Sequence, residues 1–417
     1  MTAELVSLDK VREAQLRLNE VVNRTPLMLN LNLSEKYGCR VLLKREDLQT
    51  VRSYKIRGAY NKIASLDEAS RAKGVICASA GNHAQGVAYA CHRLGIKGVI
   101  YMPAPTPRQK VNQVRMFGQN AVEVVLQGDT FDDSFREALA RCEQDGMTFI
   151  HPFDDNKVIE GQATVGMEIL EDQRETIDFL FVPVGGGGLA AGVGSVFRQL
   201  SPKTKIIGVE PEGAPAMKIS LEKGELVTLD TIERFVDGAA VKRVGEKTFA
   251  LCKEVLDGMA TVHEGKVCST IMKLYNEDAI VVEPAGALSI AVLDQYAKEI
   301  KGKTVVCVVS GSNNDITRTE EIKERSLLYE NLKHYFIIRF PQRAGALREF
   351  LNDVLGPKDD ITHFEYSKKN SRERGPAVIG IELQDPADFD GLIQRLKDKQ
   401  FVFEYLNNRP DLFQFLV

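Results

Sequence analysis

The segment 75-VICASAGNHAQGVAYACHRLGIKGVIYM-102 decides the fold class. It opens on the apolar run 75-VICA-78 and closes on 98-GVIYM-102, both short and continuously apolar. Between them, 82-NHAQGVAYACHRL-94 carries its apolar residues at helical spacing. Two strands joined through a helix pair in parallel, because only a crossover connection has room for one. Apolar character on every residue of both runs means that the sheet is covered on both faces.

The same rhythm fills the first three quarters of the chain. The runs 41-VLLK-44, 121-AVEVV-125, 179-FLFVPV-184, 205-KIIGVE-210 and 304-TVVCVVS-310 read as strands. The stretches 107-PRQKVNQVRMF-117 and 130-TFDDSFREALARC-142 read as helices between them. The pattern is that of an α/β fold with a mostly parallel sheet. Near residue 330 the rhythm changes. The segment 319-TEEIKERSLLYENLK-333 is charged and helical in character. Four strands follow, 334-HYFIIRF-340, 361-ITHFEYS-367, 376-PAVIGIEL-383 and 401-FVFEYL-406, with helices at 344-AGALREFLNDVL-355 and 386-PADFDGLIQRLKDK-399. The order βαββαβ is that of a ferredoxin-like unit. The boundary falls between about 320 and 333, which divides the chain into residues 1–325 and 326–417.

Bulk properties exclude several classes. A chain of 417 residues buries a large core without disulfides or metals. A net charge of −4 offers no bulk attraction to nucleic acid or to an anionic membrane. The seven cysteines are scattered with no C-x-x-C pair, so neither a disulfide framework nor a zinc site is expected. Cys77 and Cys307 lie inside apolar runs and read as small core residues. Residues 1–12 mix charges without an apolar signal core, and no run of about 18 apolar residues occurs, so a cytoplasmic location is expected.

Four motifs stand at strand-to-helix junctions, where open parallel sheets bind their ligands. In 52-RSYKIRGAYNK-62, Lys55 follows the loop 46-EDLQTVRS-53 at a helix start that Ser53 could cap. The positive end of a helix disfavours an ammonium, so a lysine there can be neutral enough to attack an aldehyde. Most lysines in such a place are solvated surface residues, and the motif alone decides nothing. In 184-VGGGGLAAG-192, four glycines at a helix start leave N–H groups open to a phosphate. No lysine follows as in a nucleotide loop, although Glu210 ends the next strand near the spacing of a dinucleotide site. In 78-ASAGNHAQG-86, Ser79, the backbone of Ala80 and Gly81, and Asn82 suit a substrate carboxylate or a ring hydroxyl. His83 in that loop could look like a base, but a helix start disfavours its imidazolium. In 309-VSGSNND-315, Ser310 offers one neutral hydroxyl, or an ordinary helix cap.

Together these stretches resemble the threonine dehydratase branch of the fold-type II pyridoxal-phosphate enzymes, over essentially the whole chain. The signature S-[FY]-K-x-R-G-A is matched by Ser53 to Ala59, and S-[AS]-G-N-H-[AG]-Q-G by Ser79 to Gly86. The resemblance implies two open α/β subdomains and pyridoxal 5'-phosphate as cofactor. It implies that Lys55 joins the cofactor covalently and takes the α-proton, with Asn82 beside its ring hydroxyl. Gly185, Gly186, Gly187, Gly188 and Leu189 would hold its phosphate, and Ser310 would face its pyridine nitrogen. Ser79, Ala80, Gly81, Asn82 and His83 would form the substrate loop. Relatives that replace a β-substituent carry K-D-R after the lysine, where this chain has Lys55-Ile56-Arg57. Racemases place a second serine at Ala80, so elimination is implied instead. Some relatives bind a cation near 210-EPEGAPA-216, but Ala216 stands where an aspartate is expected, and no metal is assigned. His151 to Asp154 and Glu283 to Gly286 either line the pocket or serve as structural turns.

The implied reaction is the dehydration and deamination of L-threonine, and of L-serine, to a 2-oxo acid and ammonia. The C-terminal unit resembles the ACT-like regulatory domain of biosynthetic threonine dehydratases, with Phe340 to Leu347 as its effector loop. It implies isoleucine or valine as effector, a place in isoleucine synthesis, and a dimer or tetramer. A preference for serine or 3-hydroxyaspartate, or an inactive amino-acid sensor, are the alternatives.

Overall fold

The computed structural model describes residues 4–173, 175–366 and 374–409. Residues 1–3, Ser367 and residues 410–417, which the sequence reading includes in its segments, lie outside the described residues. Contacts divide the chain into two units, one ending at Asp315 and the other starting at Ile316.

The first unit contains β1 (Leu27–Leu29), β2 (Arg40–Arg45), β3 (Val75–Ala78), β4 (Gly98–Met102) and β5 (Val122–Leu126). It continues with β6 (Thr148–Phe149), β7 (Phe179–Pro183), β8 (Lys205–Pro211), β9 (Gly258–Val262) and β10 (Thr304–Val309). These strands form two sheets rather than one, in the orders β1-β2-β10-β7-β8-β9 and β5-β4-β3-β6. Periodicity marks a strand but not its partner, so the pattern alone reads as a single sheet. Only β1 pairs antiparallel, against β2; every other pair in the two sheets is parallel. Strand β2, early in the chain, lies beside β10 at its far end, with Leu42 opposite Val306.

Each sheet is covered on both faces because its strands alternate between two cores. From β3 and β4, Val75, Cys77, Ile100 and Met102 pack with Ala84, Val87, Ala88 and Cys91 of the helix Asn82–Leu94. Their neighbours Ile76, Ala78, Val99 and Tyr101 point the other way, against Ala138 of the helix Phe131–Asp145. Each large apolar side chain fully buried in this way is worth about 1.5–3 kcal/mol. The helix Asn82–Leu94 stops at Gly95, whose φ of 65° suits glycine, and Thr130 with Asp133 closes a capping box on Phe131–Asp145. In the larger sheet, Leu180, Val182, Val306 and Val308 pack with Leu189, Val193 and Phe197 of the helix Gly188–Leu200.

The helix Lys55–Ala64 is held by backbone-to-backbone approach. A Cβ on Gly161 would stand 2.5 Å from the Arg57 carbonyl oxygen, and one on Gly58 2.8 Å from that of Val158. On its other side a Cβ on Gly86 would meet the Lys55 carbonyl oxygen at 3.2 Å. The last glycine of the 78–86 motif thus lets the substrate-loop helix lie directly on the lysine helix.

The second unit contains β11 (Lys333–Pro341), β12 (Asp360–Tyr366), β13 (Arg374–Glu382) and β14 (Val402–Tyr405). They form one antiparallel sheet in the order β12-β13-β11-β14. The first strand lies between the third and the fourth, which is the split βαβ arrangement expected from βαββαβ. Phe336, Ile338, Phe340, Ile379 and Ile381 pack with Phe350 of the helix Ala346–Asp353 and with Leu392 and Leu396 of the helix Asp388–Asp398. The charged helix Thr319–Tyr329 belongs to this unit: its Glu324 accepts from the Tyr335 hydroxyl at 2.7 Å and pairs with Lys333.

Candidate active site

Lys55 is the first residue of its helix. Ser53 does not cap that helix, contrary to the expectation from sequence. Tyr54 holds the cap position without a side-chain bond, and Ser53 turns aside to bridge Gly311. The Lys55 side chain is half-buried, and its Nζ donates to the Pro152 carbonyl at 2.9 Å. Protein packed around the amine withdraws it from water and lowers its pKa to about 8, against a smaller upward pull from Glu283. Burial is the largest cause of that lowering, at a residue that also opens its helix.

The substrate loop follows β3. The Ser79 hydroxyl accepts from the N–H of Gly81, and a Cβ at Gly81 would meet nothing within 4 Å. Asn82 begins the next helix; its amide donates to Glu283 at 2.6 Å and accepts from Asn313 at 2.6 Å. Glu283 is buried, and burial, with the nearby charge of Asp237, raises its pKa to about 7. His83 is 3% exposed, and its Nε2 donates to the Ile150 carbonyl at 2.8 Å. Burial and the charge of Lys55 lower its pKa to about 3, so it is neutral.

The glycine loop follows β7. Gly187 has a φ of +93°, a conformation open to glycine, and caps the 13-residue helix Gly188–Leu200. The N–H groups of Gly185 to Leu189 have no acceptor among the described residues, which is the arrangement that attracts a phosphate. Phe153 forms the wall of the loop, since a Cβ on Gly186 would stand 2.2 Å from its ring. Thr248 Oγ1 donates to the Gly186 carbonyl at 2.6 Å.

After β10, the carbonyl of Ser310 accepts from the Tyr54 N–H at 3.2 Å, and Ser310 itself is 3% exposed. The four loops are thus tied to one another: Tyr54 to Ser310, Asn82 to Glu283 and Asn313, Lys55 to Pro152, and Phe153 to the glycine loop. Pro152, Phe153, Thr248 and Asn313 carry these ties; the motifs 151–154 and 309–315 contain the first two and the last, and only Thr248 lies in no stretch that the sequence marks.

The residues fit pyridoxal phosphate. A weakened amine suits an aldehyde, and open N–H groups suit a dianion. The buried Ser53 hydroxyl and Asn313 side-chain oxygen, which have no full partner within the protein, leave polar valences for a polar ligand. A dinucleotide reading fails at Glu210, whose carboxylate is fully buried and accepts the N–H groups of Met217 and Lys218. Among the described residues, no group of three or more His, Cys, Asp or Glu side chains could hold a metal ion. All seven cysteines are free.

Comparison with known proteins agrees with this geometry. The profile of a family described as pyridoxal-phosphate dependent enzyme matches residues 18–311. A second, the C-terminal regulatory domain of threonine dehydratase, matches residues 324–416. The biosynthetic L-threonine dehydratase IlvA of Halalkalibacterium halodurans is 57% identical over 412 residues, which is 99% of each chain. That of Bacillus subtilis is 55% identical over 413 residues, covering 99% of this chain and 98% of its own. The processed form of threonine deaminase isoform 2 from Solanum lycopersicum superposes with a TM-score of 0.73 at 41% identity, covering 78% of this chain and 96% of that one. The chain belongs to the pyridoxal-phosphate-dependent enzymes, in the family of the biosynthetic threonine dehydratases.

Proposed function

We propose that this chain eliminates water from L-threonine and releases 2-oxobutanoate and ammonia, with L-serine as a second substrate. One observation carries the reading: the weakened amine of Lys55 rests on the carbonyl of Pro152, the neighbour of Phe153, which walls the glycine loop. Pyridoxal phosphate, when bound, supplies the electron sink that acidifies the α-hydrogen of an amino acid. Gly185, Gly186, Gly187, Gly188 and Leu189 hold its phosphate with open N–H groups. Asn82 would meet its ring hydroxyl and Ser310 its pyridine nitrogen. Ser79, Ala80, Gly81 and Asn82 hold the substrate carboxylate at the helix start. His83 supports that loop from beneath through Ile150.

Lys55 takes the α-proton as a neutral amine, and the Pro152 carbonyl receives the ammonium that forms. The β-hydroxyl leaves as water with the proton that Lys55 returns to it, and hydrolysis of the released enamine, through its imine, yields the 2-oxo acid and ammonia. Ser310 is uncharged and would bring no carboxylate to the bound cofactor's ring, which would favour prompt loss of the hydroxyl over return of the proton.

Catalysis is assigned to residues 1–325 and regulation to residues 326–417, with isoleucine or valine as effector. The enzyme would then work in the cytoplasm in isoleucine synthesis, as a dimer or tetramer. Among the described residues no helix is long and apolar enough to cross a membrane.

The test is an absorbance spectrum of the purified protein, followed by L-threonine addition with detection of the 2-oxo acid. A visible cofactor band that is lost in Lys55→Ala, with keto-acid release slowed by isoleucine or valine, is the expected result. A colourless protein that still binds isoleucine would overturn it in favour of an amino-acid sensor.

A further inference from the structure

We propose that His151 is a positioning residue, whose imidazole Nδ1 shapes the turn that connects Lys55 to the glycine loop. The inference rests on the reading above and assigns a role to a side chain that touches neither substrate nor cofactor in that reading.

Nδ1 of His151 accepts two backbone N–H groups, from Phe153 at 3.2 Å and from Asp154 at 2.7 Å. A nitrogen that accepts twice carries no proton, so the ring keeps its single proton on Nε2. The imidazolium would set N–H against two N–H groups and open the turn. Burial holds the ring neutral, with Lys55 and Lys247 acting in the same direction and Asp154 and Asp155 opposing, which puts its pKa at about 4. Residue 152 is proline and has no N–H of its own, so this one ring atom receives the first two N–H groups after it.

Each of the three turn residues then does something different. The carbonyl of Pro152 receives Lys55. The ring of Phe153 lies edge-on to His151, with centroids 4.7 Å apart, and walls Gly186, while its backbone and Cβ face Gly188. The carboxylate of Asp154 accepts the N–H groups of Glu246, Lys247 and Thr248, at the start of the helix Glu246–Val255. Thr248 in turn bonds the Gly186 carbonyl. A shift of the turn therefore reaches the amine and the phosphate loop together. Were His151 needed only to fill space, neither the identity of the accepting atom nor its position would matter.

His151→Asn and His151→Gln separate these cases. The asparagine oxygen falls near the place of Nδ1 and can accept the same two N–H groups, whereas the glutamine oxygen falls near Nε2. Pyridoxal-phosphate affinity of the apoprotein is measured by titration, together with kcat and KM for L-threonine. In His151→Asn the affinity stays within about twofold of the parent. In His151→Gln it weakens by about tenfold, the effect expected for two lost hydrogen bonds, and kcat falls while KM for threonine moves less. Nitrogen-15 spectra of histidine-labelled parent protein at neutral pH show His151 as the neutral Nε2–H tautomer.

Equal affinity in the two variants, failure of both to fold, or a charged or Nδ1-protonated His151 would overturn the proposal. Parent protein that binds no pyridoxal phosphate, or makes no keto acid from threonine, would instead overturn the functional reading. The nitrogen spectrum is informative in either event.

Discussion

Lys55 and Arg57 stand two residues apart on one helix, and their surroundings are opposite. Lys55 faces the cleft, has a carbonyl for its partner, and meets no carboxylate at hydrogen-bond distance. Arg57 is 1% exposed and bracketed by two carboxylates. Its guanidinium forks onto Glu46, with two bonds of 2.8 Å, and onto Glu168, with bonds of 2.6 and 2.8 Å. Lys44 adds a second cation on Glu168 at 2.6 Å, and Thr25 donates to Glu46 at 2.5 Å, so two cations and two anions balance. Burial acts against charge at both places. At Arg57 the carboxylates more than offset it and raise the pKa; at Lys55 little opposes it and the pKa falls. The helix thus uses one cation as an anchor and keeps the other poised to lose its proton.

Substitutions at Lys55, Arg57 and Gly186 and one titration would break or sharpen that contrast. The largest effect is expected for Lys55→Ala, with threonine turnover down by about 10⁴-fold, the upper range for a proton-transfer group. Its thermal unfolding should stay level or improve, because a weakened ammonium is removed; a large loss of stability would make Lys55 an anchor as well. Arg57→Met should cost about 3–5 kcal/mol in urea unfolding, since it leaves Glu46 and Glu168 buried without their partner. Arg57→Lys should not restore it, because an ammonium cannot fork onto two carboxylates. An Arg57→Met protein as stable as the parent would show that the cluster anchors nothing.

Gly186→Ala should come next. Its new methyl would overlap the Phe153 ring, which costs about 1–3 kcal/mol and weakens cofactor binding with it. The smallest effect is a pH dependence. Apoprotein Lys55 reacts as the neutral amine, so the rate of cofactor association should rise with pH, level off above about 8, and fall about tenfold per unit below it. The stability linkage has the same sign. A lysine whose folded pKa is depressed adds stability above its unfolded value of 10.5, and that contribution is lost as pH falls through about 8. A profile without an inflection near 8 would erase the difference between the two cations.

Most strands and helices were legible because their apolar spacing is local. The runs 75–78 and 98–102 and the helix 82–94 appear with the limits read from sequence. The strands β1, β6 and β9 escaped that reading. The first two are three and two residues long, too short for a period to show, and β9 mixes glycine and threonine with its apolar residues. The glycine loop was legible because successive glycines before a helix have few other uses. For Pro152 and Asn313 the motifs gave the place but not the contact, since one acts through a backbone carbonyl and the other through a side chain that any loop could carry.

The sequence by itself determined the α/β class, the βαββαβ tail, and the residue types at the strand ends, because these depend on neighbours a few positions away. It could also mark Lys55 as reactive from its place at a helix start, but it could show neither its burial nor its Pro152 partner. Only the tertiary structure decided which strands pair within each of the two sheets and that Ser53 bridges Gly311 instead of capping. Only it decided which cation on the lysine helix finds a carboxylate. Glu168 lies 111 residues from Arg57, and Pro152 lies 97 from Lys55. The charge state of a buried group is set by what folding brings beside it, and no local pattern records that distance.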